Sequence, residues 1–132
     1  MQRDNQLVGN IGLFYVCYEL SKRGWNCLPT TRNAKGVDIV IYSQDAQKKL
    51  TIQVKALTQR SAVPFGSNPH LIADLLIIVR NVFDSPIVYI MKIDEVRERL
   101  HKTENKKGEV AYWLEYKDYE DFKDRWELIE SI

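Results

Sequence analysis

Three residues in one short stretch, GVDIVIYSQDAQKKLTIQVKAL from Gly36 to Leu57, carry the types and spacing that could do chemistry. Asp38 heads one apolar run, and Gln53 and Lys55, separated by a single residue, sit inside the next. A carboxylate, a carboxamide oxygen and an ammonium gathered at one place suit a hard divalent cation with its waters. Strands are what would gather them. Both runs are rich in Val and Ile, and the polar segment Ser43 to Lys49 has the length and composition of a hairpin loop. In the second run Thr51, Gln53 and Lys55 share one parity, while Leu50, Ile52, Val54 and Ala56 share the other, so the strand has two distinct faces. A loop closing around Ala46 or Gln47 sets Asp38 opposite Lys55 or within about one position of it, and an odd register puts all three polar groups on one face. Opposed side chains lie roughly 5 Å apart at Cβ and diagonal ones roughly 7 to 8 Å, a span that a metal ion and its water bridge.

A chain of 132 residues is long enough for one core and too short for two, so a single domain over 1–132 is expected. Hydrophobic residues at 45% and charged residues at 28% exclude a disordered or fibrous chain. No apolar run approaches the roughly 20 residues that cross a bilayer, and MQRDNQ lacks the pattern of a signal peptide, which points to the cytoplasm and to no membrane partner. Cys17 and Cys27 lie in apolar segments without ligand partners and read as buried thiols. The net charge of +1 divides unevenly. Residues 1–70 hold nine Lys or Arg against four Asp or Glu, and residues 71–132 hold ten against fourteen. The polar motif therefore lies in the basic half, which fits a polyanionic substrate as well as it fits ordinary solvated charge.

The elements follow in order. Leu7, Val8, Ile11, Phe14, Tyr15 and Tyr18 recur at threes and fours and predict an amphipathic helix over Asn5–Arg23, stopped by Gly24. Gly9 and Gly12 lower its propensity but permit close approach to another element. Glu19 lies near its apolar face, either in a salt bridge to Lys22 or Arg23 or as a carboxylate aimed at a metal. Trp25–Pro29 reads as a short strand and Thr30–Lys35 as a polar loop carrying Arg32 and Lys35. The stretch after Leu57 to about His70 has two prolines, a glycine and no periodicity, and reads as a long loop; Arg60 in it either touches a phosphate or is solvated, and His70 is not a catalyst. Ala73–Val82 is a buried strand, with Pro86–Met91 its neighbour across a turn. Asp94 caps a short helix reaching His101, Lys102–Gly108 is a basic loop, Val110–Tyr116 is a last strand, and Asp118–Ile129 is a docking helix with Tyr119, Phe122, Trp126 and Ile129 at helical spacing.

An acid in the first helix (Glu19), a strand headed by Gly36-Val37-Asp38, a hairpin and a strand bearing Gln53-Val54-Lys55 together resemble the PD-(D/E)XK nuclease superfamily, with a layout most like its small Holliday-junction-resolvase branch. About the first 80 residues carry the likeness. Val37 replaces the proline of the motif and Gln53 its second acid. The resemblance implies an α/β, restriction-endonuclease-like three-layer core, with a mixed central β-sheet flanked by helices. It further implies a Mg2+- or Mn2+-dependent nuclease cutting phosphodiester bonds, in DNA ahead of RNA, of repair, recombination or restriction type. On that reading Asp38, Gln53 and Glu19 are metal ligands, helped by the Val54 carbonyl, and Lys55 orients the attacking water. Arg32, Lys35 and Arg60 contact the nucleic acid, and a homodimer follows by analogy, since two strands call for two sites. Two other classes are kept: the same fold without turnover, binding nucleic acid or a protein partner, which the loss of the second acid at Gln53 supports; and an accessory subunit dimerising through its aromatic C-terminal segment.

Overall fold

The computed structural model describes residues 4–31 and 35–132. Helix α1, Asn5–Lys22, begins where Asp4 Oδ1 accepts the Leu7 N–H at 2.8 Å. It ends in a Schellman turn, with the Gly24 N–H on Ser21 O and the Trp25 N–H on Leu20 O, and Gly24 takes the left-handed φ of 93° that this turn requires. Its buried ridge is Val8, Gly12, Val16 and Leu20 at every fourth position. The aromatic face expected from the sequence is a correction, for Phe14 and Tyr18 are 61% and 60% exposed.

Five strands form a mixed sheet in the order β1-β2-β3-β5-β6: Asn26–Pro29, Ile39–Tyr42, Lys49–Ala56, Leu75–Arg80 and Ile87–Lys92. Only β3 and β5 run parallel; the other pairs are antiparallel. Between them the chain leaves the sheet to make β4, Val63–Gly66, which joins β7, His101–Glu104, and β8, Val110–Leu114, in a second sheet ordered β4-β8-β7. Two of these were expected to be loops. In β4, Pro64 and Gly66 hide the strand pattern and are tolerated because β4 is an edge strand with a register shift at that point. In β7, the polar sequence HKTE belongs to a mostly exposed edge strand with no apolar alternation to read.

Alternate residues of the central sheet feed two cores. Leu50, Ile52, Leu75, Ile77 and Val79 pack with Val8, Val16 and Leu20 of α1 and with Ile129. Leu76, Ile78, Tyr89 and Met91 pack on the opposite face with Val63, Phe65, Leu114 and Tyr119. The architecture is the expected α/β one around a mixed sheet, except that a small sheet, and not helices alone, covers the second face.

Helix α2, Ile93–Arg99, starts one residue before Asp94, so that Asp94 stands in its first turn and Lys92 at its cap. The single C-terminal helix expected over Asp118–Ile129 is also corrected. Helix α3, Tyr116–Tyr119, runs into a 3-10 turn, Glu120–Phe122; Asp124 then takes a left-handed φ of 53°, and α4, Trp126–Ser131, follows. Its four aromatic and apolar positions divide accordingly, Tyr119 and Phe122 joining one core and Trp126 and Ile129 the other. Among the described residues no helix is long and apolar enough to cross a membrane.

Candidate active site

The β2–β3 hairpin sets the site. Its pairing runs Tyr42↔Lys49 to Ile39↔Ile52, so the turn closes between Asp45 and Ala46, one residue earlier than expected. Ala46 accepts a left-handed φ of 59°, and Ser43 holds the loop through its N–H on Lys48 O at 2.9 Å and its hydroxyl on Asp45 Oδ1 at 2.7 Å. Asp38 consequently falls at Gln53 and not opposite Lys55. Its N–H donates to Ile52 O at 2.8 Å, and its Oδ2 accepts the Val54 N–H at 2.7 Å, so the residue brackets Gln53 from both sides.

This bond places the carboxylate in the gap beyond the end of β2, where β3 has no further antiparallel partner. The N–H and C=O of one strand residue point toward the same neighbour; with its N–H on Asp38, Val54 also turns its carbonyl into that gap. The gap opens toward α1 as a cleft of about 260 Å³ whose walls include Gly9, Asn10, Leu13, Thr30 and Thr31. Gly9 also lines a second cleft of about 350 Å³ that contains Lys55, Leu57, Thr58, Gln59 and Ser61. The two clefts thus meet at α1.

Gln53 and Lys55 share a face, as their parity requires. Gln53 is 6% exposed, and its Oε1 is buried without a hydrogen-bond partner among the described residues, an orphaned acceptor one residue before Val54, whose N–H holds Asp38. Lys55 lays its Nζ over the Phe65 ring at 4.9 Å, and burial pulls its pKa down while the charge of Asp38 acts in the opposite direction.

Glu19 is not brought to this group. Arg23 Nη1 reaches its Oε2 at 2.7 Å, Lys22 Nζ lies at 3.6 Å, and Tyr15 also bonds to it. Burial raises the Glu19 carboxyl, but these donors and cations outweigh it and hold it below the ordinary glutamate range. The helix residues at the Asp38 cleft are Gly9, Asn10 and Leu13, and Glu19 stands six positions beyond Leu13, about 9 Å further along the axis at 1.5 Å per residue. Of the two readings of Glu19, the structure has the salt bridge. The polar side chain that α1 does offer is Asn10, which no motif marks. Lys35 is exposed beside Gly36 and lines neither cleft, Arg60 lies over the Tyr116 ring at 4.8 Å, and Arg32 lies outside the described residues. Among the described residues no group of three or more His, Cys, Asp or Glu is placed to hold a metal ion.

This arrangement, an acid pinned at a strand end with a desolvated lysine two residues along the neighbouring strand, occurs on a fold that is already known. The chain has the fold of a homing endonuclease. Superposed on the structure of the bacterial homing endonuclease I-Ssp6803I, it gives a TM-score of 0.67 at 15% sequence identity, over 97% of this chain and 92% of that one. No protein-family model matches the sequence, and no curated protein matches it. At 15% identity the likeness is one of fold.

Proposed function

We propose that this protein is a metal-dependent endonuclease that hydrolyses phosphodiester bonds in DNA, a variant of the PD-(D/E)XK pattern with glutamine at the second acid. The observation that carries the reading is the Asp38 carboxylate held on the Val54 N–H at 2.7 Å beside the desolvated Lys55, on the backbone of a nuclease. The donor set suits a hard cation: the remaining oxygen of Asp38, the Val54 carbonyl, and the orphaned Oε1 of Gln53 are all oxygens. A divalent cation bound there supplies a water acidified toward neutrality and a counter-charge for the phosphate. Asp38 fixes that position through its bond to the main chain. Lys55 donates from Nζ to the attacking water and to the charge that grows on the phosphoryl oxygens, and its hydrophobic setting strengthens that interaction.

The test is a cleavage assay with Mn2+ or Mg2+ on labelled single-stranded, duplex and branched DNA and RNA. Wild type cuts, while Asp38→Asn and Lys55→Met lose at least about 100-fold in rate and keep their affinity for the substrate. No cutting in either metal, with salt-dependent binding intact, would instead select the binding module, a reading favoured by the absence of a three-residue acid cluster among the described residues.

A further inference from the structure

Among the described residues Arg80 is a partly buried cation without an ionic partner. It ends β5, where the Leu57 N–H bonds to Val79 O at 2.7 Å, and it shares a face with Ile78, the partner of Lys55. Its Nε and Nη1 are buried without a hydrogen-bond partner, and among the described residues no carboxylate pairs with it. A guanidinium stays charged in any protein environment, so burial cannot neutralise it. Two phenol rings compensate in part, with the Arg80 guanidinium 5.4 Å from the Tyr116 centroid and 5.8 Å from that of Tyr89. Arg60 adds a second cation at 4.8 Å from the same Tyr116 ring, also without a carboxylate partner among the described residues. Like charges converging on one ring repel, and the fold nevertheless fixes them there: the Tyr119 hydroxyl donates to Ser61 O at 2.6 Å and anchors the chain next to Arg60.

We propose that Arg60 and Arg80, arranged around Tyr116, form a binding site for a backbone phosphate of nucleic acid, separate from the Asp38–Lys55 centre. Two guanidinium groups without a carboxylate partner among the described residues favour an anion: the exposed Arg60 presents its planar donor edge to a phosphate, and Arg80, with its Nε and Nη1 buried, adds its charge. Nucleic acid is favoured as its source because the cleft that contains Lys55 runs through Gln59 to Ser61, on either side of Arg60. A strand held at Lys55 and followed along this cleft reaches the segment that carries Arg60, whose guanidinium shares the Tyr116 ring with that of Arg80. This assignment rests on the nuclease reading for the path of the strand, but its test does not depend on cleavage.

Anisotropy of a fluorescein-labelled DNA duplex, in EDTA and from 50 to 250 mM KCl (roughly the range where counterion release is readable), is measured for wild type, Arg60→Ala and Arg80→Met. Each variant is expected to bind about tenfold more weakly at low salt, with the slope of log affinity against log salt reduced by about one. Arg60 is exposed, so its removal leaves the fold intact, and an unchanged slope in Arg60→Ala overturns the proposal whatever Arg80→Met does. Inorganic phosphate, compared with chloride at equal ionic strength, separates the sources: a rise in wild-type Tm that Arg60→Ala lacks shows that the site takes free phosphate, whereas a reduced slope without that rise confines it to the polymer. Competition by polyglutamate as effective as that by unlabelled duplex would assign the site to acidic peptide and overturn it. Wild-type protein that never cuts, yet shows the slope change, defeats the nuclease reading alone; cutting with unchanged slopes defeats this one alone.

Discussion

Lys55 holds a charge that its surroundings disfavour. Burial is the larger influence on its pKa and Asp38 the smaller opposing one, so the folded value lies below the ordinary 10.5. For a group depressed on folding, the stability it contributes is complete above the unfolded pKa and is lost as the pH falls through the folded one. At neutral pH Lys55 therefore costs stability. Replacing it with methionine, which keeps the stem over Phe65, is expected to stabilise the protein by about 1 kcal/mol at pH 7, with the gain shrinking as the pH approaches 10. Urea unfolding of both proteins at the two pH values checks this; a gain independent of pH would mean that packing and not charge is responsible. Asp38 leads to a second expectation. With one anion among neutral oxygens, the free protein should bind divalent cations weakly by calorimetry, and Mn2+ should support faster cleavage than Mg2+, which is more demanding about geometry and dehydration. Tight Mg2+ binding without DNA would contradict the donor set. Strand parity and a short hairpin were enough to place Asp38, Gln53 and Lys55 near one strand end, although the hairpin closes one residue earlier than expected and sets Asp38 at Gln53. Asn10 and Arg80 were not readable, since one is a polar residue inside a helix and the other the last residue of an apolar run, and only the packing of distant segments gives either a role.

At the scale of elements, α1 reaches the sheet through one glycine. A Cβ built on Gly12 would stand 2.6 Å from the Ala56 Cβ, inside any real contact, and 3.9 Å from Val54 Cγ1. Gly12→Ala must therefore lift the helix from β3, at a cost of about 1 to 3 kcal/mol, and it disturbs the wall that Gly9 and Asn10 lend to the Asp38 cleft. The companion change Ala56→Gly removes the opposing carbon, so the double variant should recover most of that stability beyond additivity in a thermal-unfolding cycle. Additive losses would show that the helix does not sit where Ala56 stops it. That a glycine permits close approach was visible in the sequence, and so was the helix itself. Which face it buries was not, because aromatic residues at helical spacing look like a core stripe even when, as with Phe14 and Tyr18, they are on the outside. Strands with alternating or continuous apolar residues, β2, β3, β5 and β6, were legible for the same reason that they are buried. The edge strands β4 and β7 take their identity from β8, and a sequence window contains no trace of a neighbour so far along the chain.

The whole molecule is two cores on one sheet. Strand β5 gives Leu75, Ile77 and Val79 to the α1 side and Leu76 and Ile78 to the other, and the C-terminal segment gives Tyr119 to one and Ile129 to the other. Neither face can open without exposing the backs of the same five residues. Unfolding is therefore expected to be a single transition, although the cores share no side chain. The tryptophans report on the two sides separately: Trp25 belongs to the α1-side core and Trp126 packs against it, while Trp113 lies in the second sheet with its indole N–H on Glu115 at 2.7 Å. Ile129→Ala, which empties a fully buried position, should cost about 2 to 5 kcal/mol. It should shift the urea transition seen by the fluorescence of a Trp113-only variant as far as the one seen by circular dichroism. A Trp113 signal that stays at the wild-type midpoint, while the helical signal is lost early, would mean that the second sheet stands alone. The proposed Arg60–Arg80 site, between the segment that leads into β4 and the end of β5, would then survive loss of the α1-side core, an independence this architecture forbids.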